Sequence, residues 1–292
     1  MIDLHIHSTF SDGQDTVQVI LTKAQQKKLE CISITDHNGV KAYNLLDTMD
    51  IKQYYTGEII CGIEMDSMYK GKNIEILAYG FEVGKVQNWV ESTFKSRAAR
   101  QSIFFQLLVK TCHEKGIRID DYVSWDPNKE YAHMALYRSL VKYTENRAIL
   151  GEEAWKSGGD FYRVVSVDAT HPLAIDLSVV YPTLQEIDQV MHDAGAKIFL
   201  AHLYEYKLEN KEEYLDSLVK ENLLDGVEAY FSGNSDEQQE YLLKYCADHN
   251  LLVCGGSDCH NDPKKAIEIG TGWGNMAVPY DILNNWNIKR YL

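Results

Sequence analysis

Short apolar runs alternate with longer amphipathic segments along most of this 292-residue chain. The apolar runs have strand lengths, and the segments between them space their apolar residues as helices do. Such alternation is typical of repeated strand–helix units in α/β domains. A β/α barrel needs roughly 250 residues, so the chain is long enough for one barrel with an addition. The predicted strands cover residues 2–7, 31–35, 58–69, 74–81, 197–201, 226–230 and 251–257.

Helices are predicted between these strands from capping signals and apolar spacing. The segments Asp15-x-x-Gln18, Thr183-x-x-Glu186 and Ser235-x-x-Gln238 match the capping-box pattern at helix N-termini. Apolar residues recur at helical spacing from Val86 to Leu108, and Gly116 follows, which predicts one helix of about 25 residues.

Residues 117–181 interrupt the alternation and are rich in tyrosine, tryptophan and charge. Two stretches, 132–145 and 150–157, have helical spacing. We therefore expect a mostly helical subdomain at 117–181, inserted between two parts of the barrel, 1–116 and 182–292, and packed over it. The C-terminal part holds Trp273, Trp286 and Tyr291, which are expected to cover the barrel's flank.

Histidines and carboxylates fall in the predicted strands or directly after them. They are His5, His7, Asp36, His37, Glu64, Glu75, His202, Asp258 and His260. In β/α barrels the carboxyl ends of the strands meet on one face, where active sites are built. Residues far apart in sequence would then share one pocket.

Residues two apart in a strand point to the same face, so His5 and His7 would face the barrel interior together. A lone histidine in a strand is more often a core residue, but two on one face followed by Asp12 favour a metal site. Asp3 shares that face and is a candidate to hold a ligand in place. The Asp258-x-His260 spacing repeats the arrangement, whereas Asp36 has the alternative of capping a helix.

The number of candidate ligands exceeds what one cation needs, since a catalytic zinc takes three protein ligands and a water. We therefore expect two or three divalent metal ions. Mixed histidine and carboxylate ligands suit manganese, iron or zinc, and the pattern does not choose among them.

Charge and cysteine usage bear on the location and the partners. The net charge of −14, from 43 acidic and 29 basic residues, disfavours binding of long duplex nucleic acid. No apolar window reaches the length of a membrane span, and no secretory leader is recognisable, so a cytoplasmic protein without membrane contact is expected. The six cysteines include no Cys-x-x-Cys pair and are read as buried free thiols. The oligomeric state is left open.

Five short motifs in this order resemble those of the polymerase and histidinol phosphatase (PHP) family of metallophosphoesterases. They are Asp3-Leu4-His5-Ile6-His7-Ser8 with Ser11-Asp12-Gly13, Thr35-Asp36-His37, Gly62-Ile63-Glu64, Ala201-His202 and Gly256-Ser257-Asp258-x-His260. The resemblance implies a distorted seven-stranded β/α barrel and a site of up to three metals, with Glu64 bridging two of them. The ligands it implies are His5, His7, Asp12, His37, Glu64, His202, Asp258 and His260.

The chain departs from the family pattern at several positions. Glu75 stands where the family usually has a histidine; it is kept as a ligand, although the change could weaken or empty one site. Leu203 replaces a usual proline, and Glu130-Tyr131-Ala132-His133 aligns with Gly-Arg-Pro-His in many relatives, so an arginine is lost there. Cys259 replaces a usual aromatic residue, and its side chain is expected to point away from the ligands.

The resemblance implies hydrolysis of a phosphate ester by a metal-activated hydroxide. Asp12, His37 and His202 are the expected catalytic residues, and either His202 or a metal-bound water protonates the leaving group. Arg97 and Arg100 on the long helix, with His133 and Arg138 in the insertion, are candidates to bind the substrate; a solvated helix face is the alternative for the first two.

The expected substrate is a small phosphomonoester, a nucleotide or a short oligonucleotide. Two alternatives remain at this point. One is a histidinol-phosphate phosphatase, whose substrate is an amino-alcohol phosphate. The other is a catalytically silent metal-binding module with an interaction role, which the Glu75 and Tyr131 departures keep open.

Overall fold

The computed structural model describes residues 1–167, 171–206, 208–262 and 266–292 as a mixed α/β structure. Its strands are β1 (Ile2–Ile6), β2 (Cys31–Ile34), β3 (Glu58–Ile59), β4 (Gly62–Tyr69), β5 (Lys72–Tyr79), β6 (Lys197–Leu200), β7 (Gly226–Phe231) and β8 (Leu252–Gly256). Its α-helices are α1 (Val17–Gln26), α2 (Lys41–Leu46), α3 (Val83–Thr93), α4 (Arg97–Glu114), α5 (Ala132–Leu140), α6 (Arg147–Lys156), α7 (Gly158–Val167), α8 (Leu184–Asp193), α9 (Lys211–Lys220) and α10 (Asp236–His249).

The strands form two sheets, one of three strands in the order β1-β2-β3 and one of five in the order β4-β5-β6-β7-β8. Strand β5 is antiparallel to both of its neighbours, and the other pairs are parallel. Single bridges, Ile6 to Cys259 and His37 to Glu64, connect the two sheets. The predicted α/β class is confirmed, but a closed seven-stranded barrel is not seen in the described parts of the chain.

The predicted strand 58–69 explains part of this difference. It is divided between the sheets, because β3 pairs with β2 while β4, which begins only at Gly62, pairs with β5. A continuous apolar run does not reveal such a break, since both halves are buried.

Strands β4 and β5 form a long hairpin that places two of the predicted ligands on one face. Lys70 and Gly71 both have positive φ angles, 48° and 73°, as a two-residue type I′ turn requires. The turn is therefore shorter than the four residues, 70–73, that separate the predicted strands 58–69 and 74–81. The register pairs Asp66 with Glu75, which puts Glu64, two residues before Asp66, on the same face as Glu75.

The single long helix predicted from residue 86 onward is wrong, because α3 ends at Thr93 and α4 begins at Arg97. Phe94 is extended, and the Ser96 hydroxyl accepts a hydrogen bond from the Ala99 N–H at 3.3 Å. Apolar spacing continues across the break, so only the capping serine signals it.

The capping boxes at Thr183 and Ser235 are confirmed, and the one at Asp15 is wrong. Thr16 is the residue that caps α1. The Asp15 carboxylate instead pairs with Lys23 at 2.6 Å and accepts a hydrogen bond from Asn261. The capping position of α1 is therefore occupied by the neighbouring threonine and not by Asp15.

The helices of the insertion share an apolar cluster that is separate from the main core. Leu136 of α5, Leu150 of α6 and Phe161 of α7 pack there with Phe104 and Leu108 of α4. The piece predicted at 132–145 ends at Leu140, and α7 was not predicted. Since α4 precedes residue 117 and contributes to this cluster, the boundaries of the subdomain stay a prediction.

The C-terminal segment packs under the five-stranded sheet. Trp286 is fully buried against Tyr79 and Phe199, and Tyr291 donates a hydrogen bond to the Tyr43 carbonyl, as expected of a cover. Trp273 is 55% exposed and covers little of the core. None of the described helices has both the length and the apolar character needed to cross a bilayer.

Candidate metal centre

The ligands predicted from the sequence come together where the two sheets meet. His5 lies in β1, Glu64 in β4 and Glu75 in β5, while the remaining ligands lie in the loops after β1, β2, β6 and β8. The full set is His5, His7, Asp12, His37, Glu64, Glu75, His202, Asp258 and His260. Strand β8 ends at Gly256, so a left-handed backbone at Asp258, φ 54°, and not strand alternation brings that carboxylate to the site.

The buried Glu64 carboxylate lies at the middle of the cluster. Its Oε2 atom is 3.3 Å from His5 Nε2, 3.2 Å from His7 Nε2 and 3.1 Å from His37 Nδ1. Its Oε1 atom is 3.0 Å from His202 Nε2. One carboxylate therefore faces four imidazoles, and its two oxygens point to different ones.

Asp258 and Asp12 close the other side of the cluster. Asp258 Oδ1 is 3.1 Å from His7 Nε2 and 3.4 Å from His260 Nδ1. Asp12 Oδ1 is 3.1 Å from His260 Nε2 and 3.8 Å from His7 Nδ1. The rings of His7 and His260 are stacked with centroids 4.0 Å apart.

The donor atoms form four groups, in each of which the atoms lie within 4.8 Å of one another. The groups are His7–Asp12–His37–His260, His5–Glu64–His202, His5–His7–Asp258 and His37–Glu64–Glu75. Several of these atoms are buried without a hydrogen-bond partner among the described residues, including His5 Nε2, His7 Nε2, His37 Nδ1 and Glu64 Oε2. Since an unpaired buried polar atom is costly, these atoms fit divalent cations as their partners.

Burial and mutual contact shift the pKa values of these groups strongly. Burial opposes protonation of His7, but the Asp258 and Glu64 carboxylates outweigh it and raise its pKa to about 10. For His202, burial also lowers the pKa, but the Glu64 and Glu75 carboxylates outweigh burial and raise it to about 9. Burial and then the nearby Glu64 charge raise the pKa of Glu75 to about 7. Without metal, the centre therefore holds protons that a cation would displace.

The Glu228 carboxylate in β7, which the sequence did not single out, supports two ligands. It accepts hydrogen bonds from His5 Nδ1 and from the His202 backbone N–H, both at 2.8 Å. Holding one ring nitrogen of a histidine leaves the other free to bind metal. A glutamate inside the apolar run 226–230 was the available signal, because a fully buried carboxylate needs partners.

Two buried aspartates hold the loops that carry ligands. Asp36 accepts hydrogen bonds from the Ser8 N–H and from the hydroxyls of Ser8 and Ser11, at 2.6–2.7 Å, which orders the loop before Asp12. Asp3 accepts hydrogen bonds from the His5 backbone N–H at 3.3 Å, from Ser257 and from the Gly270 N–H, so among the described residues it holds the His5 backbone and no ligand ring. Cys259 is buried, and its thiol contacts the Ile267 carbonyl, away from the ligands as expected.

A cavity of about 740 Å³ opens beside the ligands. Asp12, His37 and Glu75 line its inner end, and side chains of the insertion and of α4 form the outer part. Tyr131 of the insertion donates a hydrogen bond to Asp12 Oδ2 at 3.0 Å, so the insertion contacts the centre directly.

Three of the four predicted substrate-binding residues line this cavity. The Arg97 guanidinium lies 4.5 Å above the Tyr131 ring, and its buried Nε has no hydrogen-bond partner among the described residues. Arg100 lines the same wall and donates to the Lys95 carbonyl. Arg138 does not line the cavity; it forms a bidentate ion pair with Glu130 at the surface.

His133 lies between the rings of Tyr131 and Tyr162 on the cavity wall. Burial lowers its pKa to about 4, so the ring is neutral at neutral pH. Its Nδ1 atom is buried without a partner among the described residues. A neutral imidazole offers a hydrogen bond and no charge, which suits an uncharged part of a substrate better than a phosphate.

Comparison with known families decides the relationship of this chain. A family model described as the PHP domain matches residues 3–260, which include every ligand named above. The chain belongs to the PHP family. The resemblance inferred from the five motifs is thereby confirmed.

Two relatives of this PHP protein match over nearly their whole length. A phosphoribosyl 1,2-cyclic phosphate 1,2-diphosphodiesterase of Eggerthella lenta is 23% identical, over 92% of the chain and 97% of the relative. A 5′-3′ exoribonuclease of Haemophilus influenzae is also 23% identical, over 97% of each protein. Both names describe enzymes that cleave phosphodiester bonds.

A solved structure shares the fold of this PHP protein. A Bifidobacterium adolescentis protein described as a metal-dependent phosphoesterase superposes with a TM-score of 0.65 and 21% identity, over 98% of this chain and 94% of that one. The expectation that the chain is an enzyme of the metal-dependent phosphoesterase class is confirmed at the level of the family.

Proposed function

We propose that this PHP protein hydrolyses a phosphate ester of a nucleotide or a short oligonucleotide, with two or three divalent cations of manganese, iron or zinc. One observation carries the proposal: imidazole and carboxylate atoms, several of them buried without a hydrogen-bond partner among the described residues, converge on Glu64 beside a large cavity. Metal-assisted hydrolysis requires buried ligands that hold the cations and an open side through which the substrate reaches them.

The residues proposed to hold the cations are the nine that converge. They are His5, His7, Asp12, His37, Glu64, Glu75, His202, Asp258 and His260. When bound, the cations lower the pKa of water toward neutrality and offset the negative charge of the phosphate. Glu228 and Asp36 keep the ligands in orientation through the hydrogen bonds described above.

The chain's own residues supply binding and proton transfer. Arg97 and Arg100 are proposed to contact phosphate oxygens, because a guanidinium matches phosphate geometry. His202 is proposed to donate the proton to the leaving oxygen, with Asp12 and His37 as the other catalytic residues. The Nδ1 atom of His202 is buried and has no hydrogen-bond partner among the described residues.

The cavity supports a substrate of nucleotide size. Its volume falls within the roughly 300–1,000 Å³ of small-molecule sites. Tyr131, His133 and Tyr162 provide aromatic surface for a base or a sugar. The net charge of −14 disfavours a long duplex, although the exoribonuclease relative shows that the family includes an enzyme acting on RNA. A cytoplasmic location is part of the proposal.

A substrate panel on metal-reconstituted protein tests this function. The panel contains a nucleoside 3′,5′-bisphosphate, a dinucleotide, a five-nucleotide RNA, a cyclic nucleotide and histidinol phosphate. Turnover of the nucleotide substrates is expected, with His7→Ala losing both bound metal and activity because His7 belongs to two ligand groups. Turnover of histidinol phosphate alone would favour the amino-alcohol phosphatase, and no turnover of any ester would favour a silent metal-binding module.

A further inference from the structure

The four ligand groups differ in chemical composition. In His7–Asp12–His37–His260 three imidazoles accompany one carboxylate, and imidazoles are also in the majority in the two groups that contain His5. In His37–Glu64–Glu75 two carboxylates accompany one imidazole, and a second imidazole, that of His202, lies 3.4 Å from Glu75 Oε2, so this group has the largest share of carboxylates. We call this last group the carboxylate-rich subsite.

The geometry of the carboxylate-rich subsite indicates an ion-binding position. Glu64 Oε2 is 3.1 Å from His37 Nδ1, and Glu75 Oε1 is 4.0 Å from the same nitrogen. Both His37 Nδ1 and Glu64 Oε2 are buried without a hydrogen-bond partner among the described residues. Glu64 is 99% buried, since its side chain is only 1% exposed, and its Oε2 atom faces three ring nitrogens at 3.1–3.3 Å, which fits a cation held between them.

The carboxylate-rich subsite is also the accessible part of the centre. The side chains of Glu75 and His37 are 28% and 22% exposed and line the cavity, whereas those of His5 and His7 are not exposed at all. An ion held by Glu75 would therefore exchange with solvent more easily than one held between His5 and His7.

We propose that the carboxylate-rich subsite favours a hard cation, Mn²⁺ or Mg²⁺, relative to Zn²⁺, and that the protein therefore holds chemically unequal metal ions. Carboxylate oxygens suit magnesium and manganese, while imidazole nitrogens suit zinc and iron. Glu75 then changes the metal preference of this subsite, and the subsite still binds a cation. This inference rests on the metal centre of the proposed function and is independent of its substrate.

Metal titration of the full-length protein tests the proposal. Chelator-stripped wild type, Glu75→His and Glu75→Gln are titrated with Mn²⁺ and with Zn²⁺ by calorimetry, and bound equivalents are counted by elemental analysis. Glu75→His is expected to raise the Zn²⁺-to-Mn²⁺ affinity ratio of the weakest equivalent on the order of tenfold. Glu75→Gln is expected to lose that equivalent while keeping the tighter ones.

Asp66→Asn is the matched control, because Asp66 is the direct cross-strand partner of Glu75 and lies in none of the four groups. Its carboxylate accepts a hydrogen bond from Asn38 at 2.7 Å. The control removes one negative charge from the same cavity and should leave the ratio within about twofold.

Three results would overturn the proposal: an unchanged ratio in Glu75→His, full stoichiometry in Glu75→Gln, or an equal change in Asp66→Asn. Retention of the tighter equivalents shows in each case that the variant is folded. The titration contains no substrate, so its outcome does not depend on whether the protein hydrolyses any ester. Failure of this proposal can therefore be distinguished from failure of the proposed function.

Discussion

At the scale of single residues, the centre depends on buried charged groups that pair with one another among the residues that the structure describes. Glu64 and Glu228 are 1% and 0% exposed; Glu64 contacts four imidazoles, and Glu228 contacts the His5 imidazole and the His202 backbone N–H. A buried carboxylate is tolerated only when paired, so removal of one partner is expected to affect the whole set. The two residues differ in role: Glu64 faces the cluster, whereas Glu228 holds its ligands from outside.

Glu228→Gln is predicted to weaken metal binding while the protein stays folded. The amide keeps the shape of the side chain but loses the charge that orients His5. Removing such a partner typically costs about 10–100-fold in metal affinity, which a competition assay with a chromophoric chelator measures. Glu237→Gln, an exposed glutamate on α10, is the control; equal affinities in both variants would contradict the role given to Glu228.

Arg97→Ala is predicted to raise KM for the nucleotide substrate about 10-fold or more with a smaller change in kcat, because a charged hydrogen bond to phosphate is worth roughly 1.5–3 kcal/mol. Steady-state kinetics on the best substrate of the panel measure it. Arg138→Ala removes an arginine that is paired with Glu130 outside the cavity, and it should leave KM unchanged. If KM rose for Arg138→Ala and not for Arg97→Ala, Arg138 and not Arg97 would be the substrate-binding arginine.

At the scale of elements, the Tyr131 side chain at the start of α5 joins the insertion to the metal centre. Tyr131 donates to Asp12, and burial raises its pKa, so the hydroxyl stays a donor. Arg97 of α4 rests on the same ring. The insertion therefore orients a candidate ligand and a proposed substrate contact together.

Tyr131→Phe is predicted to weaken binding of the ion next to Asp12 by about fivefold, since one hydrogen bond contributes on the order of 1 kcal/mol. Calorimetry measures the affinity, and circular dichroism shows whether the fold is kept. Tyr137→Phe is the control on the same helix, because that hydroxyl donates to the Trp155 carbonyl within the insertion. Loss of metal affinity in Tyr137→Phe to the same extent would point to a general loosening of the insertion.

At the scale of the whole molecule, metal binding and folding are coupled because the ligands come from both sheets and from loops near both ends of the chain. Cations that bind only the folded state stabilise it by mass action. In the metal-free protein, protonated histidines take over part of that role, since nearby carboxylates raise the pKa values of His7 and His202.

The stabilisation by metal is predicted to grow as the pH rises from 7 to 9. A histidine whose pKa is raised on folding stabilises the metal-free fold below its ordinary pKa of 6.5, and this contribution is lost as the pH approaches about 9 for His202 and about 10 for His7. Metal affinity rises over the same range because fewer protons must be displaced. Melting temperatures with and without a chelator at each pH measure the difference, and a difference that shrinks toward pH 9 would contradict the coupling.

The sequence by itself determined the α/β class, most strand positions and the candidate ligands that the structure brings together. His5, His7 and Glu64 lie in or beside strands, and both the strands and the polar residues within or after them can be read from the sequence. Family membership followed from short motifs whose spacing is local, so no three-dimensional information was needed to recognise them.

Only the tertiary structure decided which side chains support the ligands and which line the cavity. The hydrogen bonds between Glu228 and His5 and between Tyr131 and Asp12 join residues more than a hundred positions apart, and no local pattern encodes them. The division of 58–69 between two sheets and the break before α4 likewise depend on long-range packing. Periodicity reports burial along one element, whereas partners are chosen by contacts between elements.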